Sequence, residues 1–164
     1  MKTTLKYSYL ISIIVLLPQI LFASEKQEEV AKFVITDASM NGADVTLQYL
    51  EAGAYLVFYT IGDDKSLYMA NFWQKFDSQS YGAVYSLESK TIEETDKQYK
   101  TDIFRFNWRY INTYDEKRGT AKVEVTKIYK PQGIAFIVKI IPENLDILIY
   151  KGYMDGSVDF DSFQ

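Results

Sequence analysis

Tyr99-Lys-Thr-Asp-Ile-Phe-Arg-Phe-Asn-Trp-Arg-Tyr-Ile-Asn-Thr-Tyr114 sorts its residues by parity. Phe104, Phe106, Trp108 and Tyr110 fall on one side of an extended chain, and Arg105, Asn107 and Arg109 fall on the other. That period of two is the pattern of a half-buried β-strand, and no helix separates the same residues so cleanly. After Asp115-Glu-Lys-Arg-Gly119 the alternation resumes, with Ala121, Val123 and Val125 against Lys122, Glu124 and Thr126. Taking Asp115 to Arg118 as a four-residue loop sets Tyr114 opposite Gly119, Trp108 opposite Val125 and Arg109 opposite Glu124. A slip of one residue would put Trp108 against Thr126, so the pattern is read as selecting this register. One face of the hairpin is aromatic and the other is wet.

The same signals extend in both directions. Toward the N-terminus, Phe33 to Ala38 reads as a first strand ended by the Asn41-Gly42 turn, and Ala54 to Ile61 with Ser66 to Trp73 reads as a hairpin about Gly62-Asp63. Residues 43–53 admit a short helix begun by Asp44 and ended by Gly53, with Leu47 and Leu50 inward, although a strand or irregular segment is the preferred reading. Gln74 to Gly82 has the polarity of a loop, and Ala83 to Ile92 alternates again. Toward the C-terminus, Pro131-Gln132-Gly133 is a turn and Ile134 to Ile141 is apolar on both faces, which calls for cover on both sides. Ile147 to Tyr153 is the last strand, and residues 155–164 read as a tail. About eight short strands joined by short loops predict an all-β antiparallel meander, best closed into a small barrel so that no edge is left unpaired.

Met1 to Lys6 is basic, Leu10 to Phe22 is nearly all apolar with Pro18 inside it, and Leu21-Phe22-Ala23 precedes Ser24. Residues 1–23 therefore read as a secretory signal peptide, too short in its apolar core to be a comfortable membrane span. Residues 24–32 read as a flexible acidic leader, and residues 33–154 as the β domain. The expected location is periplasmic or secreted. The chain has no Cys, so the exported domain must hold itself together by burial without a disulfide. Losing Lys2 and Lys6 leaves 16 basic against 22 acidic side chains, a balance of −6 that argues against nucleic acid and anionic membranes as partners.

Asn41-Gly-Ala-Asp-Val-Thr46 after a first strand, followed by a hairpin turning at Gly62-Asp63, resembles the opening of small secreted bacterial lipocalin-like domains of the calycin type. The resemblance covers about the first third of the exported chain. Lys32-Phe33-Val34 stands where those domains usually carry Gly-x-Trp. It implies a short up-and-down barrel whose apolar interior takes a small molecule, and it supplies no catalytic residue.

The chain also has no His, which together with the missing Cys removes Ser-His-Asp and Cys-His catalysis and the usual zinc sites. No phosphate-binding glycine motif is present. Asp63-Asp64 and Glu93-Glu94 are neighbours that point to opposite faces of a strand or sit in turns, and read as solvated acids. Asp155 to Asp161 has spaced oxygens like a calcium loop but lacks its sixth-position glycine and closing glutamate. No cofactor or metal is expected. The candidate ligand site is the aromatic row Phe104, Phe106, Trp108 and Tyr110 with Val125: a cavity lining in a wide barrel, a filled core in a narrow one.

The expected function is a non-enzymatic exported barrel that binds a small hydrophobic ligand. A structural or envelope-interaction module is the second expectation, meeting a partner through Tyr68 and Phe72 or through Leu148 and Tyr150. An eight-stranded outer-membrane barrel is the third, with the aromatic row facing lipid and Arg105, Asn107 and Arg109 facing the lumen.

Overall fold

Alternation becomes strand through most of the chain. The computed structural model describes residues 27–63, 66–94, 99–143 and 146–163. In order these form β1 (Gln27–Met40), β2 (Ala43–Asp44), α1 (Thr46–Glu51), β3 (Ala54–Ile61), β4 (Ser66–Trp73), β5 (Ser78–Glu94), β6 (Tyr99–Asn112), β7 (Arg118–Lys130), β8 (Gly133–Pro142) and β9 (Leu148–Gly156). From β3 to β9 each strand pairs antiparallel with the next, β1 pairs with both β3 and β9, and β2 is a short addition to β1. The expected meander is therefore a closed barrel of eight strands plus one. Asn41 and Gly42, both at positive φ, make the β1–β2 turn that their dipeptide predicts.

The inner phase of the strands is the core. Phe33, Phe58, Met69, Val123, Val138 and Tyr150 converge there from six strands, and each buried side chain of this size contributes about 1.5–3 kcal/mol. Phe106 and Trp108 join them, while Arg105 and Arg109 are exposed. The row thus turns inward, which reverses the outer-membrane arrangement of rings toward lipid and arginines toward the lumen.

The hairpin register differs from the expected one. Tyr110 pairs with Gly119, Trp108 with Ala121, Phe104 with Val125 and Arg105 with Glu124. Every partner is displaced by four residues, an even step that keeps each side chain on its face, so alternation alone is blind to it. The loop still has four residues, Thr113 to Glu116, closed by the Asn112 N–H donating to the Lys117 carbonyl at 2.8 Å. Asn112 Oδ1 accepts from the Tyr114 N–H at 2.8 Å, Asp115 Oδ1 accepts from the Lys117 N–H at 3.2 Å and Glu116 takes the positive φ, so the turn chemistry lies with these three residues. Gly119 instead makes room within the sheet. A Cβ there would stand 2.6 Å from the Tyr110 hydroxyl, so its bareness lets that ring lie across the strand. The cross-strand ion pair is consequently Arg105 to Glu124, at 2.7 Å, in place of Arg109 to Glu124.

Other boundaries shift as well. Residues 46–51 are helical, with the Asp44 carboxylate accepting from the Thr46 N–H at 2.9 Å, but Leu47 and Leu50 are exposed and Tyr49 is the buried residue. From Gln27 onward the expected leader is already strand β1, and the expected Gln74–Gly82 loop is a 3-10 turn (Gln74–Phe76) followed by β5. The expected tail continues β9 to Gly156 and then forms a second 3-10 turn, Phe160–Phe163. The expected signal peptide lies outside the described residues.

Candidate functional site

The aromatic row does not do one thing along its length. In the middle, Phe106 and Val125 are buried and fill the barrel. Toward each end the interior opens into a cavity, so Trp108 and Tyr110 line one and Phe104 lines the other.

The larger cavity, about 650 Å³, lies at the α1 end of the barrel. Trp108 and Tyr110 form one wall, with ring centroids 4.6 Å apart. Trp73 stands on the inner phase of β4, braced by Tyr49 of α1 at 4.5 Å and by Phe76 at 6.2 Å. Ile140 and Leu148 add apolar lining, whereas Ser80, whose Oγ accepts from Asn112 Nδ2 at 3.0 Å, adds a polar strip. Asp115, Lys117, Arg118 and Glu143 stand at the mouth and carry both signs of charge.

A polar chain runs through this end. Asn71, only 7% exposed, donates from Nδ2 to the Tyr150 hydroxyl at 3.2 Å, and Tyr150 is bonded in turn to Tyr49. Among the described residues, Asn71 Oδ1 is the one buried side-chain polar atom with no hydrogen-bond partner, an arrangement that costs about 1–3 kcal/mol. Burial pushes the Tyr49 and Tyr150 hydroxyls up from their ordinary range, Tyr150 well above it. Tyr110 is also raised, by burial and by the facing Asp115 and Glu143. These three tyrosines thus stay protonated at neutral pH, the wrong direction for a general base.

The opposite end is closed by Phe160, which is 3% exposed. Its ring stacks on Phe104 at 4.5 Å and packs against Phe58 at 5.5 Å and Phe106 at 6.0 Å. Beside this plug lies a second cavity of about 540 Å³, walled by Phe104, Ile134, Phe136, Tyr153, Met154 and Val158, with Lys127 on its rim. Just beyond, Asp102 accepts from Thr91 Oγ1 at 2.8 Å and from the Tyr129 hydroxyl at 2.7 Å, and pairs with Lys100 at 3.4 Å. Burial raises the Asp102 carboxyl, but these bonds outweigh it and hold the group below its ordinary value.

Of the residues expected to meet a partner, Tyr150 is fully buried and Leu148 packs against the core, so neither offers a surface. Tyr68 and Phe72 do lie outward, half-buried in a separate apolar patch. There Tyr59 and Tyr68 stack at 5.5 Å and Tyr55 and Phe72 at 4.9 Å, over Val57 and Ala70. Sequence reading missed Asn71, Trp73, Tyr49, Lys127 and Phe160. For Asn71 a signal existed: an amide on the otherwise apolar phase Met69, Asn71, Trp73 of a strand. For Tyr49 and Phe160 there was none, because each reaches the interior from outside the strand pattern. Among the described residues, no group of three His, Cys, Asp or Glu is placed to hold a metal ion. The chain matches no protein-family model, no curated protein and no solved structure.

Proposed function

We propose that this protein is an exported, non-enzymatic, lipocalin-like barrel that holds a small apolar or aromatic molecule in the cavity at its α1 end. One observation carries the reading: a cavity of about 650 Å³ walled by Trp73, Trp108 and Tyr110, a size and lining typical of small-molecule sites. The mixed charges at the mouth favour an uncharged ligand. The test uses the Trp73→Phe variant, in which Trp108 is the sole tryptophan, titrated with 1-anilinonaphthalene-8-sulfonate and with neutral apolar probes. Saturable quenching of Trp108 is expected, and a folded monomer that quenches with none of them overturns the reading.

A second reading, an interaction module of the cell envelope, is favoured by the outward patch of Tyr55, Val57, Tyr59, Tyr68, Ala70 and Phe72 on β3 and β4. Crosslinking from a photoreactive residue at Phe72 in the exporting cell separates the two readings. A discrete protein adduct supports the second, and its absence beside saturable quenching supports the first.

A further inference from the structure

The far end of the barrel carries a different combination of features. The second cavity is walled by aromatic and aliphatic side chains, and the charged side chain on its lining is Lys127. Lys127 occupies the inner phase of β7, opposite Phe136 on β8 and Asp102 on β6. It is half-buried, and its ammonium lies 4.9 Å from the centre of the Tyr129 ring. The neighbouring acid is already engaged. One Asp102 oxygen takes Thr91 and Lys100, the other takes the Tyr129 hydroxyl, and among the described residues no carboxylate pairs with Lys127. A lysine on the lining of an apolar cavity, paired with no carboxylate among the described residues, is the complement of a molecule with one negative head and an apolar body.

We propose that this cavity is a second binding site, for a singly anionic amphiphile whose head pairs with Lys127 and whose body lies along Phe104, Phe136 and Met154. The site goes beyond the α1-end cavity and does not depend on it, since the packed middle of the barrel, Phe106 and Val125, separates the two.

Sodium decanoate and 1-decanol share an apolar chain and differ in charge, so they read the role of Lys127 directly. The experiment titrates each, below micelle-forming concentration, into full-length protein and follows the ¹³C-methyl signals of Met154, Met69 and Met40. These mark the Phe160 end, the middle and the α1 end. The expected result is saturable movement of Met154 by decanoate with Met40 unmoved. Lys127→Gln is expected to weaken decanoate about tenfold, the loss of one hydrogen bond to a charged group. The exposed Lys130→Gln, which removes the same charge from the end of the same strand, should leave binding unchanged, and decanol should bind the parent about as weakly as decanoate binds Lys127→Gln. No saturable shift at Met154, equal loss in both lysine variants, or equal binding of acid and alcohol overturns the proposal. Trp108 quenching by neutral probes at the other end, measured on the same samples, stands or falls separately.

Discussion

The two ends of this barrel are closed by different physics. At one, a single ring from outside the strand order, Phe160, stacks into the aromatic row with no polar group involved. At the other, Tyr49 enters from a six-residue helix and is held by ring contacts and by a hydroxyl chain through Tyr150 to Asn71. Both closures leave room beside them, the dry plug as well as the polar one. The cavity of about 650 Å³ lies at the polar end, and the one of about 540 Å³ lies beside the plug.

The strongest challenge to that contrast is Phe160→Ala. Truncating a fully buried ring should cost about 3–5 kcal/mol, read as a lowered midpoint in urea denaturation; a loss below about 1 kcal/mol would mean that the plug closes nothing. Tyr49→Phe keeps the ring and removes only the hydroxyl, so about 1–2 kcal/mol is expected, and a loss as large as that of Phe160→Ala would erase the distinction between the ends. Gly119→Ala probes the cavity itself. The added methyl must displace the Tyr110 ring, and because that ring is only half-buried the stability loss should be about 1 kcal/mol. Probe quenching of Trp108 should weaken several-fold, with the Met154 response to decanoate untouched.

The smallest expected difference at neutral pH is one of titration. Asp102, beside the plug, is held below its ordinary value by Tyr129, Thr91 and Lys100 against the opposing effect of burial. Its contribution is therefore present above the unfolded carboxylate value of about 4 and is lost as pH falls through the folded one. Tyr49 and Tyr150 are raised, chiefly by burial, so their contribution is present below the ordinary tyrosine value of about 10 and is lost as pH rises through the folded values. Acid should thus loosen the Phe160 end first and alkali the α1 end, visible as the order in which the Met154 and Met40 methyl signals lose their native shifts. Asp44 and Asp115 near the α1 end are also held low, by bonds within their own exposed turns to Thr46 and Lys117. Simultaneous loss at both methyl groups in acid would remove the contrast. Asp102→Asn should flatten the acid limb of the stability curve and leave the alkaline limb in place.

How much of this was legible in the residues depends on what kind of information each feature carries. The inward turn of Phe106 and Trp108 was readable, because side-chain parity is a local property that any extended segment displays. The hairpin register was not, because displacing partners by four residues preserves parity, and Gly119 looked like turn punctuation when it was making space for Tyr110. The barrel order followed from short loops between consecutive strands. Both end closures escaped notice: one of two phenylalanines in a polar tail and a tyrosine on a six-residue helix have no periodicity to betray them. The candidate site was accordingly half visible. Trp108 and Tyr110 were identified from their row, but the opposing Trp73 and the amide of Asn71 came into view only when the sheet curled round to face itself.

The seam between β1 and β9 has a consequence for how the molecule is made. The first strand completes its hydrogen bonding with the last, across residues from Ala31–Gly156 to Met40–Leu148, so the ring cannot shut until nearly the whole polypeptide exists. Contacts so distant along the chain make folding slow. A chain still emerging from the ribosome would lack its final staves and could not yet set.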